Sequence, residues 1–122
     1  MKDFSSEKLT IEIENKNNEI IMNWIGKNYE NEVVPILKKY IEEFIENFNE
    51  EDKEKELKIN LKKLELLNSS SIPIIITLIV NVEKNKIKTQ VIYNSNLEWQ
   101  ESTFTIIKKL AISYKNVSII GM

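Results

Sequence analysis

Residues 64–82 form the longest apolar stretch of the chain, and three consecutive serines, Ser69, Ser70 and Ser71, divide it. The β-branched run that follows the serines favours a strand on propensity alone. Three features oppose that. Pro73 has no N–H to donate to a central ladder, yet it fits the first turn of a helix, where that donor is unpaired anyway. The serines are N-cap types. The apolar run over residues 72–82 also exceeds the length of a buried strand, about four to eight residues. The pattern therefore predicts a strand, a serine loop, and a helix buried nearly all round, with Ser70 or Ser71 in its first turn and its end near Val82. Thr77 and Asn81 interrupt it well short of the about 20 apolar residues that cross a bilayer, so no membrane partner is expected.

The rest of the chain arranges itself around that unit. Leu9, Ile11 and Ile13 alternate with polar residues, residues 19–25 do so more loosely, and Asn15-Lys-Asn-Asn18 between them has turn chemistry, which reads as a β-hairpin. Val33, Val34, Ile36, Leu37, Tyr40, Ile41, Phe44, Ile45 and Phe48 recur at helical spacing opposite Lys38, Lys39, Glu42, Glu43 and Glu46. The charge run over residues 49–56 reads as a solvated loop, with Asp52, like Asp3, at the periphery. Leu57, Ile59 and Leu61 mark an interior strand leading into the serine loop. After a turn at residues 83–86, residues 87–93 form a strand, and Asn94-Ser-Asn96 a break and a cap. Trp99, Phe104, Ile106, Ile107, Leu110, Ala111 and Tyr114 line one face of a last helix, and residues 117–120 a closing strand. The order β-β-α-β-α-β-α-β predicts one α/β domain over residues 1–122, with a mixed, mostly parallel sheet and an antiparallel hairpin at its start.

Composition narrows the chemistry. With no histidine and no cysteine, imidazole catalysis, thiol chemistry and the common zinc sites are excluded. All 17 basic residues are lysine and the net charge is −2, so neither a basic face nor a guanidinium fork is present for nucleic acid. Glu42, Glu43 and Glu46 read as the wet face of a helix, not a metal site. A serine nucleophile needs a base, and although a Ser–Lys arrangement is formally available, no spacing points to one. The expectation is a non-enzymatic protein that needs no cofactor or metal. The first residues hold no apolar h-region, which makes a cytoplasmic protein the expectation.

Two features remain as candidate sites. Ser69, Ser70 and Ser71 are phosphoacceptors in one reading, because a phosphate brings about −1.5 to −2 charges to a helix N-terminus. In the other reading they are a loop with an N-cap. Trp99-Gln100 is either a partner-facing patch or part of the core.

The segment Asn60-Leu-Lys-Lys-Leu-Glu-Leu-Leu-Asn-Ser-Ser-Ser-Ile-Pro-Ile-Ile-Ile-Thr-Leu-Ile79 resembles STAS domains, the family of anti-sigma-factor antagonists, in which a strand runs into Asp-Ser-Ser-Gly and a buried helix. It is closer still to a small group of little-characterised STAS-like bacterial regulators that carry Asn-Ser-Ser-Gly and a later Trp-Gln, matched by Asn68 to Ser70 and by Trp99 and Gln100. The resemblance implies a regulator that switches partners, with Ser70 at the phosphoacceptor position and Ser69 beside it. Asn68 stands where the family has aspartate, and Ser71 where it has glycine. The implied partner is a serine kinase/anti-sigma factor or, by analogy with STAS-like phosphoproteins, a diguanylate-cyclase-type signalling enzyme. It would contact Asn68, Ser69, Ser70 and Ser71, and Trp99 and Gln100. Two readings from other classes stay open: a small enzyme using Lys and Glu, and a structural subunit whose exposed strand edge pairs with itself or another protein, which carries with it a weak homodimer.

Overall fold

Leu9 and Ile11, then Ile20, Met22 and Trp24, then Leu57, Ile59 and Leu61 are all buried, because period-two alternation places each set on one face of its strand. In the computed structural model, which describes all 122 residues, these strands belong to one sheet. The elements are β1 (Phe4–Ser5), β2 (Leu9–Asn15), β3 (Glu19–Asn28), α1 (Val34–Glu46), α2 (Glu50–Lys53), β4 (Glu56–Leu67), α3 (Ile72–Lys84), β5 (Thr89–Tyr93), α4 (Glu98–Leu110) and β6 (Val117–Gly121). The six strands lie in chain order, antiparallel from β1 to β3 and parallel from β3 to β6. The three crossovers join successive neighbours in one direction, which with the usual right-handed connection puts α1, α3 and α4 on the same face, and their apolar sides close a single core with it. The other face stays open, with Asn60 Nδ2 donating to Asn23 Oδ1 at 3.1 Å across it.

The architecture is the expected α/β one, with corrections. The short β1 extends the hairpin, and its side is held by Tyr40, whose hydroxyl donates to the Lys2 carbonyl at 2.6 Å. The charge run is not an open loop. Asn49 Oδ1 accepts from the Asp52 N–H at 2.8 Å and Asp52 Oδ2 from the Asn49 N–H at 3.1 Å, a capping box that starts α2. Asp52 is consequently buried, not peripheral. On α4 the core-facing line is Gln100, Phe104 and Ile107, continued by Ala111, whereas Ile106 and Leu110 are 62% and 60% exposed. Asn94 and Asn96 do not cap that helix: its N-cap is Leu97, and Asn94 Oδ1 instead accepts from the Asn96 N–H at 2.9 Å.

Two features lengthen β3 and β4 toward the site. Gly26 has φ +100, and a Cβ there would come within 2.1 Å of the Lys8 carbonyl oxygen, so only glycine fits. Around it the β3–β4 register shifts twice, between Asn23 and Ile25 and between Gly26 and Lys27. These bulges let both strands continue to Asn28 and Leu67, past where the alternation weakens in the sequence.

Burial, and secondarily the Asp3 carboxylate, pushes the Tyr40 phenol well above the ordinary tyrosine value. The folded state thus favours the neutral phenol, and the unfolded chain gives up this proton first. Its contribution to stability is complete below about pH 10, the unfolded tyrosine value, and declines as pH rises above it. The urea midpoint of the parent is expected to fall more steeply between pH 9 and 11 than that of Tyr40→Phe; equal slopes would refute the assignment.

Candidate functional site

The strand, loop and helix form in the predicted order, but the helix runs from Ile72 to Lys84 with neither Ser70 nor Ser71 in its first turn, and the three serines divide the work differently. Ser71 is the N-cap of α3 and fully buried. Its hydroxyl does not cap the helix: it donates to Asn68 Oδ1 at 2.5 Å and accepts from Asn28 Nδ2 at 3.4 Å. A buried hydroxyl already engaged in this way is not a surface phosphoacceptor, which removes Ser71 from the candidates. Ser69 and Ser70 lie in the turn between β4 and α3, exposed and just outside the helix.

The departures at Asn68 and Ser71 are explained by the same network. Asn68 accepts from Ser71 with Oδ1 and donates with Nδ2 to Asn31 Oδ1 at 3.1 Å, while its N–H donates to the Asn28 carbonyl at 2.8 Å. An aspartate could not make the donation to Asn31. Ser71 has φ −92 and ψ −18, ordinary right-handed backbone that does not call for glycine. Asn28 and Asn31 complete the network; neither stands in an apolar pattern, and no local signal in the sequence marks them.

The donors expected at the α3 N-terminus are fewer than a regular helix offers. Pro73 has none, the Ile74 N–H donates to the Ser71 carbonyl at 3.0 Å, and the Ser71 N–H to the Asn68 carbonyl at 3.0 Å. Val34, Lys38 and Ile41 of α1 face Pro73, Ile74 and Thr77 of α3 across a groove of about 310 Å³, and Ser70 completes its lining. An apolar floor, one lysine and two hydroxyl groups thus meet at the loop end. Ser69 is exposed but does not line this groove.

Trp99 and Gln100 do something other than present a patch. β5 pairs with β4 only from Leu57 to Asn60, so β4 outruns its neighbour on that side. Side chains take the missing strand's place. Gln100 Nε2 donates to the carbonyls of Leu61 at 2.8 Å and Leu64 at 2.7 Å, Trp99 Nε1 donates to the Glu65 carbonyl at 2.7 Å, and Asn94 Nδ2 to the Lys62 carbonyl at 3.3 Å. Gln100 Oε1 also accepts from the Asn94 N–H at 2.8 Å. Gln100 is fully buried and so unavailable to a partner; Trp99 is half-buried. Together they hold the end of β4 from which the serine loop emerges. Trp99→Ala is expected to cost about 2 kcal/mol, below the range of about 3–5 for fully buried aromatics, and Trp99→Phe about 1 kcal/mol for the lost hydrogen bond. Chemical denaturation of the two variants measures both.

No group of three acidic, histidine or cysteine side chains converges to hold a metal ion, and no helix is long and apolar enough to cross a membrane. Glu42 and Glu46 line an open groove with Lys53 instead.

No protein-family model matches the sequence, and no curated protein matches it. Solved structures do match the fold. An anti-sigma factor antagonist from Mycobacterium paratuberculosis is similar with a TM-score of 0.63 and 17% identity, over 88% of this chain and 86% of its own. An uncharacterised protein with a SpoIIAA-like fold from Shewanella loihica PV-4 is similar with a TM-score of 0.55 and 16% identity, over 98% of this chain and 90% of its own. The chain has a SpoIIAA-like α/β fold, with an N-terminal hairpin followed by a parallel sheet.

Proposed function

We infer that the protein is a non-enzymatic regulator that binds a protein partner through the loop formed by Asn68, Ser69 and Ser70 and the adjoining groove between α1 and α3, and that phosphorylation of Ser70 weakens this binding. The observation that carries the reading is the position of Ser70: it alone of the three serines is both exposed and part of the lining of the groove, which Lys38 also lines. Phosphate there adds about −1.5 to −2 charges to a surface whose floor is apolar. The positive end of the α3 dipole and the Lys38 ammonium receive that charge within the chain, while a partner seated on Val34, Ile41 and Ile74 must desolvate it. Ser69 is the secondary acceptor.

The likeness in fold to an anti-sigma factor antagonist supports a serine kinase/anti-sigma factor as the partner class, with a diguanylate-cyclase-type enzyme the other candidate. Such a partner places the work of the protein in the cytoplasm. The test is affinity capture from lysate of the source cells with the parent, Ser70→Ala and Ser70→Asp, read by quantitative mass spectrometry with phosphosite mapping. One partner enriched with Ser70→Ala and depleted with Ser70→Asp, and a phosphopeptide at Ser70, are expected. A capture profile identical for the two variants overturns the reading.

A further inference from the structure

Independently of that groove, we propose that β6 and the flank of α4 beside it form a self-complementary surface through which two copies of the chain join into one continuous sheet. β6 is the last strand of the sheet and has no neighbour on its outer side. Asn116 and Met122 direct their backbone toward β5, the first accepting from the Thr89 N–H at 2.8 Å and the second donating to the Tyr93 carbonyl at 3.0 Å. Alternation then turns the N–H and C=O groups of Val117, Ile119 and Gly121 outward, unpaired. Exposed edges are usually blunted by a charge, a proline, a bulge or shortness. The opposite edge, β1, is two residues long. β6, Val117-Ser-Ile-Ile-Gly121, has none of the four devices.

Charge selects a second copy of the chain as the occupant. The edge strand itself is uncharged, so an antiparallel copy meets no repulsion in the ladder. Beside it, α4 turns one flank toward the edge. Lys108 Nζ donates to the Tyr93 hydroxyl at 2.9 Å, and the Tyr93 ring lies over Gly121 of β6, where a Cβ would come within 2.6 Å of it. Trp99, on the other side of the helix, reaches β4. Glu101 precedes Lys108 by seven residues, about two turns, and so lies on the same edge-side flank, which is acidic in its first half and basic in its second; both residues are exposed. A two-fold axis through an antiparallel β6 pair runs the two α4 helices antiparallel on the same face of the joined sheet. The acidic half of each is thereby set beside the basic half of the other.

Two flank variants of the full chain test this. Glu101→Lys makes the flank all basic, and Lys108→Glu makes it all acidic. In sedimentation equilibrium the parent is expected to move from 14.4 kDa toward twice that mass as concentration rises. Each variant alone should associate about tenfold more weakly or worse, and an equimolar mixture of the two should regain a dimer, because both charge contacts become attractive again. Hydrogen exchange at the amides of Val117, Ile119 and Gly121 should slow with concentration in the parent, while Ser118 and Ile120, already bonded to β5, change little. A parent that stays at 14.4 kDa into the millimolar range overturns the proposal. So does a dimer whose strength ignores the flank charges, or one that leaves those three amides unprotected. The mixture controls for folding, since variants that had merely lost structure would not recover each other.

Discussion

Gln100→Ala is expected to lose about 3–5 kcal/mol of stability, the largest effect of any substitution considered for this chain. The side chain is fully buried and makes three hydrogen bonds, to the Leu61 and Leu64 carbonyls and from the Asn94 N–H. Alanine leaves two buried carbonyls and the part-buried Asn94 N–H without a partner, at about 1–3 kcal/mol for each buried group, partly relieved if water enters. The position is more demanding than a core hydrophobe of the same volume, because the donors of one carboxamide serve two carbonyls of an overhanging strand. Gln100→Glu should be at least as damaging: an ionised carboxylate has no proton to offer either carbonyl and is itself costly to bury. Urea denaturation gives the midpoint and slope directly. A loss below about 1 kcal/mol for Gln100→Ala would show that β4 holds its course without the clamp, since that is the value of a single exposed hydrogen bond. Because the clamped segment ends at the serine loop, the same variant is expected to loosen Asn68, whose side chain ties Ser71 to Asn31.

The clamp also marks where the sequence stopped being legible. The serine loop and α3 could be read because three local signals, Pro73, the cap-type serines and the length of the apolar run, together outweigh the strand propensity of the β-branched residues. The rotation of α4 could not. Its sequence offers Ile106 and Leu110 as readily as Phe104 and Ile107, and which line faces inward is decided by Gln100 reaching β4, a contact 36 residues away in the chain. That overhang exists only because β5 stops short of β4's end, which no window of sequence contains. The burial of Asp52 was within reach, since Asn49 and Asp52 have capping-box spacing, but the surrounding charges hid it. Ser71 illustrates a finer limit. Its type and position announced an N-cap, yet the neighbouring Asn68 offered its hydroxyl a better partner than the helix did.

Ser70→Asp is expected to fold like the parent and to bind its partner more weakly by about 1–3 kcal/mol, a loss of about 5- to 150-fold. The fold tolerates the change because Ser70 is exposed and outside α3, and no hydrogen bond of the Asn28–Ser71–Asn68 network passes through it. The partner does not, because the new carboxylate stands on the rim of an apolar groove that a docked chain must dry. Lys38 decides how much of the charge a partner feels. It is the only charged side chain lining that groove, and if it neutralises part of the carboxylate within the chain, Lys38→Ala combined with Ser70→Asp should weaken binding beyond the sum of the two single changes. Titration of the purified partner by calorimetry at two ionic strengths measures both, the deficit of Ser70→Asp narrowing as salt rises. Equal affinity for Ser70→Asp and Ser70→Ala would leave Ser70 a turn residue in a STAS-like fold whose partner docks elsewhere. Additive effects of Lys38→Ala and Ser70→Asp would keep the switch but deny the lysine its part in it.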